Sequence, residues 1–308
     1  MATISAKDVA ALRERTGVGM MDCKKALVEA DGDMDKAITI LREKGLAAAA
    51  KKAGRIAAEG VVVAVIDKEK KVGAVVEVNS ETDFVAKNET FVEFANQVAK
   101  TVIEQNPADL DALLACKLSG SDKTVSEALT DKILVIGENL KVRRFVRMEG
   151  ILVSYVHGEG RIGVMVKLES NLDPNNEGLL ACGKDIALQV AASNPLYLDE
   201  SSVPASVVEG EKEIIKAQIS SDPKMANKPA QVIDKMIEGK ISKYYKENCL
   251  VDQVFIKDTE IPVSKYIENV AKELGGSIKV VDFVRFERGE GLQKKEDNFA
   301  SEVASMIK

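Results

Sequence analysis

One histidine, four dispersed cysteines and no apolar run of membrane-spanning length set the first bounds on this 308-residue chain. With His157 alone, no His-Glu-x-x-His zinc helix can be written. A Ser-His-Asp arrangement would have to use that one ring, and no Gly-x-Ser-x-Gly element accompanies it. His157 therefore reads as a turn residue rather than a catalyst. Cys23, Cys116, Cys182 and Cys249 lie far apart without a Cys-x-x-Cys pair, which argues for reduced thiols and against a metal centre. No stretch approaches the roughly 20 apolar residues of a membrane helix. Met1 to Asp8 lack an apolar signal core, so a cytoplasmic protein is expected. Phosphate cradles are missing too: Gly183-Lys184-Asp185 has neither the glycine spacing nor the following hydroxyl, and Gly158-Glu159-Gly160 reads as a hairpin turn. Positive charge is not in excess, with 43 Lys+Arg against 49 Asp+Glu and a net charge of −6. Direct binding of a nucleic-acid backbone is therefore not expected. The short pairs Lys51-Lys52, Arg143-Arg144 and Lys294-Lys295 read as solvated faces. Neither an active site nor a cofactor site is visible, and the chain is not read as an enzyme.

What is present is enough apolar sequence, 45% of residues, for two core domains or one core with appendages. The first 55 residues read as a three-helix bundle. Ser5 caps a helix from Ala6 to Arg15, a second carries Met21 to Val28, and a third begins at Met34 and stops at Gly45. Leu46 to Arg55 reads as a solvated helical linker. The Gly17-Val18-Gly19-Met20 break is either a plain turn or a docking surface that exposes backbone and apolar side chains together.

The middle of the chain repeats. Glu59-Gly60-Val61-Val62-Val63 returns ninety positions later as Glu149-Gly150-Ile151-Leu152-Val153. Lys71-Val72-Gly73-Ala74-Val75-Val76 returns as Arg161-Ile162-Gly163-Val164-Met165-Val166. The closing segment Phe145-Val146-Arg147-Met148-Glu149 matches Phe283-Val284-Arg285-Phe286-Glu287. The pattern predicts a duplicated α+β core, each copy a three-stranded antiparallel sheet with helices on one face. Its parts are residues 56–148 and residues 149–202 plus 251–288. Residues 203–250 read as an inserted antiparallel helical hairpin with apolar stripes on both arms and a break from Asp222 to Pro229. Residues 289–308 form a C-terminal module with a short amphipathic helix (Phe299, Val303, Met306).

The chain turns on Asn79-Ser80-Glu81-Thr82-Asp83-Phe84-Val85-Ala86-Lys87-Asn88, between the first hairpin and a helix with Phe91, Phe94, Ala95, Val98 and Val102 on one face. Ser80 or Thr82 can cap that helix. Phe84 is either a staple holding the helix start to the core or a ring that projects to act on something else. The second copy has Leu172-Asp173-Pro174-Asn175 at this place and no aromatic ring, which favours projection.

Taken together, Arg15-Thr16-Gly17-Val18-Gly19-Met20-Met21-Asp22-Cys23-Lys24-Lys25-Ala26-Leu27 and Asn79 to Ala86 resemble the two signatures of the bacterial translation elongation factor Ts family. Ile136-Gly137-Glu138-Asn139 with Arg143-Arg144, and Phe286-Glu287-Arg288-Gly289-Glu290-Gly291, resemble further parts of it, in order, over essentially the whole chain. The resemblance implies a guanine nucleotide exchange factor for elongation factor Tu, with a ubiquitin-associated-like N-terminal domain docking on the GTPase. It implies that Thr82, Asp83, Phe84 and Val85 intrude beside the partner's magnesium site. Lys24, Ile136, Gly137, His157, Phe255 and Ile256 become further partner contacts by the same resemblance. A homodimer or heterotetramer through the helical hairpin is compatible with it. Apart from this family, a protein-binding adaptor, a hydrolase using His157 and a nucleic-acid chaperone are the competing classes.

Overall fold

The computed structural model describes residues 4–221 and 229–293. The hairpin break at Asp222 to Lys228 and the amphipathic helix around Phe299, Val303 and Met306 lie outside the described residues.

Three helices open the chain: α1 (Ala6–Thr16), α2 (Met20–Glu29) and α3 (Met34–Lys52). Ser5 and Asp8 form a reciprocal capping box at the start of α1, and Gly17 ends it in the left-handed conformation. Val9, Leu12, Val18, Cys23, Ala26, Leu27, Ala37 and Leu41 make a small core of their own. Val18 is thus an interior residue, not part of an exposed turn surface; the exposed apolar side chains there are Met20 and Met21. The expected stop at Gly45 does not occur. Ala47 to Ala50 continue the helix, and Gly45 is buried against Thr130 and Leu134, where a Cβ would approach Thr130 Cγ2 at 3.3 Å. This glycine marks a close helix crossing rather than a terminus.

The first sheet contains β1 (Glu59–Asp67) and β2 (Val72–Ser80). The chain then passes through one helical turn, α4 (Asp83–Ala86), the long α5 (Glu89–Gln105), the short α6 (Leu110–Ala115) and α7 (Val125–Ile136). It returns as β3 (Lys141–Glu149) beside β2, giving the antiparallel order β1-β2-β3. Phe91, Phe94, Ala95, Val98 and Val102 of α5 are buried against Val61, Val63, Val76 and Val78. The second sheet is built from β4 (Ile151–His157) and β5 (Ile162–Ser170), followed by α8 (Glu177–Ser193) on its face. Two helices, α9 (Ala205–Ser221) and α10 (Ala230–Asn248), then leave the sheet and pair through Ile215, Ile219, Ile237 and Ile241. A small ribbon, β6 (Val254–Phe255) with β7 (Asp258–Pro262), and α11 (Val263–Glu273) lead to β8 (Ile278–Glu287). The order is β4-β5-β8, again antiparallel.

The two copies agree down to their irregularities. Each central strand carries a register shift at the same place, Glu77/Val78 in β2 and Lys167/Leu168 in β5. Each long helix ends on a left-handed asparagine, Asn106 and Asn194. The faces that carry no helices meet each other: Val62, Val75 and Met148 of the first sheet bury against Leu152, Met165 and Phe286 of the second. The result is a mixed α/β core in which two small sheets lie back to back with helices outside.

Candidate partner-binding site

Strand β2 ends at Ser80, and the next four residues reverse the chain. Thr82 is the N-cap of α4, its Oγ1 accepting the Val85 N–H at 3.4 Å. The long helix has a cap of its own: Asn88 Oδ1 accepts from Thr90 and Phe91 N–H groups. So Thr82 does not cap α5, and the one-turn α4 stands free between the two caps. Ala86 is buried and Val85 packs on the first core. Phe84, between the caps, is 82% exposed. The staple is excluded, because a ring that held the helix start would be covered by it. Asp83 is exposed beside it, 3.5 Å from Lys87 Nζ.

The turn is held from behind. Glu138, just past the left-handed Gly137 that ends α7, accepts the N–H groups of Glu81 and Thr82 at 3.0 and 3.1 Å and the Thr82 hydroxyl at 2.6 Å. In return Glu81 Oε1 accepts the Asn139 N–H at 2.6 Å. The side-chain amide of Asn139 donates to the Arg55 carbonyl at 2.8 Å. Ser80 Oγ donates to the Thr82 carbonyl at 2.9 Å. A groove of about 500 Å³ runs beside the turn, between Ala86, Lys87 and β1 on one side and Val156, Glu159 and Gly160 on the other.

Below the turn, Glu77 is fully buried. It accepts from Asn79 Nδ2 at 3.0 Å, Arg143 Nη1 at 3.0 and 3.1 Å, Arg144 Nε at 2.6 Å and the Gly289 N–H at 2.8 Å. Burial alone would raise this carboxyl; the hydrogen bonds from Asn79, Gly289, Arg144 and Arg143 outweigh it and hold the pKa below its ordinary value. Arg143 and Arg144 are therefore not a solvated pair. Arg144 also lies over the Phe286 ring, 4.2 Å from its centroid, and donates to the Glu287 carbonyl at 3.1 Å. At Gly289 (φ 69°) a Cβ would fall 2.1 Å from the Ala58 carbonyl oxygen, so only glycine lets the segment after β8 lie on the first half here.

Burial pushes the Cys182 thiol up to about 12 and the Cys249 thiol up to about 11, far from the thiolate range. Among the described residues no group of three His, Cys, Asp or Glu side chains is placed to hold a metal.

Comparison with known proteins shows which family the chain resembles. The family model described as Elongation factor TS matches residues 81–290. A Clostridium perfringens protein named Elongation factor Ts is 53% identical over 306 residues, 98% of this chain and 99% of its own. Its namesake from Clostridium novyi is 51% identical over 304 residues, 97% of each chain. One from Clostridium kluyveri is 49% identical over 308 residues, 99% of each. The chain belongs to the elongation factor Ts family.

The matched span of the Ts family model opens at Glu81, one residue before the cap, and takes in both arms of the clamp and the Glu77-bound segment at Gly289. The other residues singled out from the sequence are distributed over separate units. Lys24 is exposed on α2, next to exposed Met20, Met21 and Val28. Ile136 packs partly on the first core at the end of α7, and Gly137 is exposed. His157 is exposed at the end of β4, its Nδ1 2.9 Å from the Tyr155 hydroxyl, and is not among the residues that line the groove beside the turn. Phe255 requires correction as a surface contact. It is only 3% exposed, and its ring stacks on Tyr266 with centroids 4.1 Å apart. Ile256, one residue on, is the exposed member of the pair. Sequence reasoning did not pair Glu138 with the turn; the signals available were the membership of Glu138 in the Ile136 to Asn139 motif and of Glu81 in the Asn79 to Ala86 motif.

Proposed function

We propose that this chain is the guanine nucleotide exchange factor for elongation factor Tu in translation elongation. It binds the GDP-bound GTPase, disturbs its magnesium and phosphate site, and promotes GDP release so that GTP can bind. The observation that carries this reading is Phe84, a large ring held in water on a turn fixed from behind, in a chain of the elongation factor Ts family. Asp83 and Phe84 form the intruding tip, and Thr82 and Val85 set its base.

The physics requires no reaction on this chain. Nucleotide and exchange factor oppose each other through one coupling free energy, and the opposition is mutual. The factor must bind the nucleotide-free GTPase more tightly than the GDP-bound one, because equal affinity shifts nothing. Magnesium bridging the phosphates is the largest local charge in such a site. An apolar ring that displaces a packed element holding the ion loosens GDP without touching it, and Asp83 competes for polar groups near the metal. Lys24 with Met20 and Met21, Ile136, Gly137, His157 and Ile256 supply binding elsewhere on the GTPase. The hairpin of α9 and α10 is the element through which two factors, or two complexes, would pair. The factor works in the cytoplasm, without a cofactor and without contacting nucleic acid.

Release of a fluorescent GDP from elongation factor Tu, followed at saturating factor, tests the wedge. Wild type accelerates release, and Asp83→Ala and Phe84→Ala lower the plateau. Plateaus equal to wild type for both variants refute it.

A further inference from the structure

The two copies of the core share one arm of the clamp and not the other. In the first copy the Glu81 side chain accepts the Asn139 N–H at 2.6 Å; in the second, Asn171 Oδ1 accepts the Ser277 N–H at 2.7 Å. The β-sheet registers make these equivalent positions, Asn79 pairing with Lys141 and Glu169 with Lys279. A bond present in both copies belongs to the scaffold. The second arm is different. Glu138 corresponds to Gly276, where a Cβ would lie 2.6 Å from Leu172 Cδ2 and Cγ, so packing leaves no room for a side chain. No carboxylate reaches the Leu172 N–H, which donates instead to its neighbour Ser170 Oγ at 3.1 Å. The Glu138 arm therefore exists only in the copy that carries an exposed ring.

We infer that Glu138 is a positioning residue for Asp83 and Phe84. It acts through Thr82, whose N–H and hydroxyl it receives, and whose carbonyl Ser80 engages. All the polar groups of the residue before the tip are thereby committed. A charge-assisted set of this kind narrows the turn to one conformation. Without it the tip-forward state becomes a fraction of the free population, and apparent affinity falls by that fraction while the bound complex is unchanged. The inference rests on the exchange reading above.

The test measures GDP release from elongation factor Tu against concentration of the full-length chain, for wild type, Glu138→Ala, Glu138→Gln, Phe84→Ala and the Phe84→Ala/Glu138→Ala pair. Glu138→Ala raises the half-saturating concentration about tenfold with the plateau retained. Glu138→Gln falls between, since its amide keeps one acceptor oxygen. In the Phe84→Ala background the Glu138→Ala shift is smaller than in wild type, because the part of it that passes through the ring is gone and only the part through Asp83 remains. An unchanged half-saturation, a lower plateau at unchanged half-saturation, or an equal shift in both backgrounds overturns the positioning role. A wild-type plateau for Phe84→Ala overturns the exchange reading itself. Should Glu138→Ala melt below the assay temperature, Glu138→Gln carries the same comparison.

Discussion

Val62 Cγ1 stands 2.4 Å from the point where a Cβ on Gly163 would be. The duplication repeats the relationship: Leu152 Cδ1 stands 3.0 Å, and Met165 Sδ 2.7 Å, from the same point on Gly73. The two sheets approach this closely because each central strand offers a residue without a side chain to the other copy. Gly163→Ala is expected to lower stability by about 1–3 kcal/mol through overpacking. Val62→Ala in the same chain makes room, so the pair should be less unstable than the sum of the single changes. Urea unfolding of the four proteins checks it.

Glu77 gives the fold a dependence on acid. Its folded pKa is depressed below the ordinary 4.5, so the unfolded chain takes up its proton first as pH falls. The stability it contributes is complete above that ordinary value and disappears as pH drops through the depressed one. At neutral pH Glu77→Gln is expected to lose about 2–3 kcal/mol, the scale of hydrogen bonds to a charged group. Unfolding free energies of wild type and variant should converge in acid.

Phe255 and Ile256 separate stability from binding within two neighbouring residues. Phe255→Ala empties a stacked, buried position and should lower stability by about 3–5 kcal/mol. Ile256→Ala should leave it within ~0.5 kcal/mol, as for an exposed residue. If Ile256 meets the GTPase, its truncation weakens the complex by about 1 kcal/mol instead. Thermal melting and a titration against elongation factor Tu distinguish the two.

Phe84 and Phe91 form a similar contrast across the two caps. Phe91→Ala, fully buried, should cost about 3–5 kcal/mol. Phe84→Ala should barely move the melting temperature while lowering the exchange plateau by about tenfold, a loss of ~1.4 kcal/mol in lowering the barrier to GDP release. A large melting shift for Phe84→Ala would contradict its exposure.

The parts of the fold that could be read from the sequence were those written in local order. Apolar residues at strand and helix spacing, and their return ninety positions on, pointed to both sheets and to α5. Pro174 in place of an aromatic ring pointed to Phe84 as special. What escaped was set by distance. Gly45 resembles a terminus until α7 lies across it, and Phe255 gives no periodic sign of burial because its strand is two residues long. Thr82 and Asn88 are both capping residues six positions apart, and a one-turn helix between them is too short for any periodic signal. Glu138 meets Thr82 across 56 residues, a pairing no window of sequence displays.

The segment at Gly289 that completes the ring of donors around Glu77 also has a bearing on how the molecule comes into being. Strand β8 and the segment at Gly289 are made after every other described element, yet they finish the second sheet and seal the charge in the first. A nascent chain released before this point would carry a half-closed interior on both sides. Termination of synthesis ahead of Gly289 should therefore yield a product prone to degradation rather than a shortened but serviceable one.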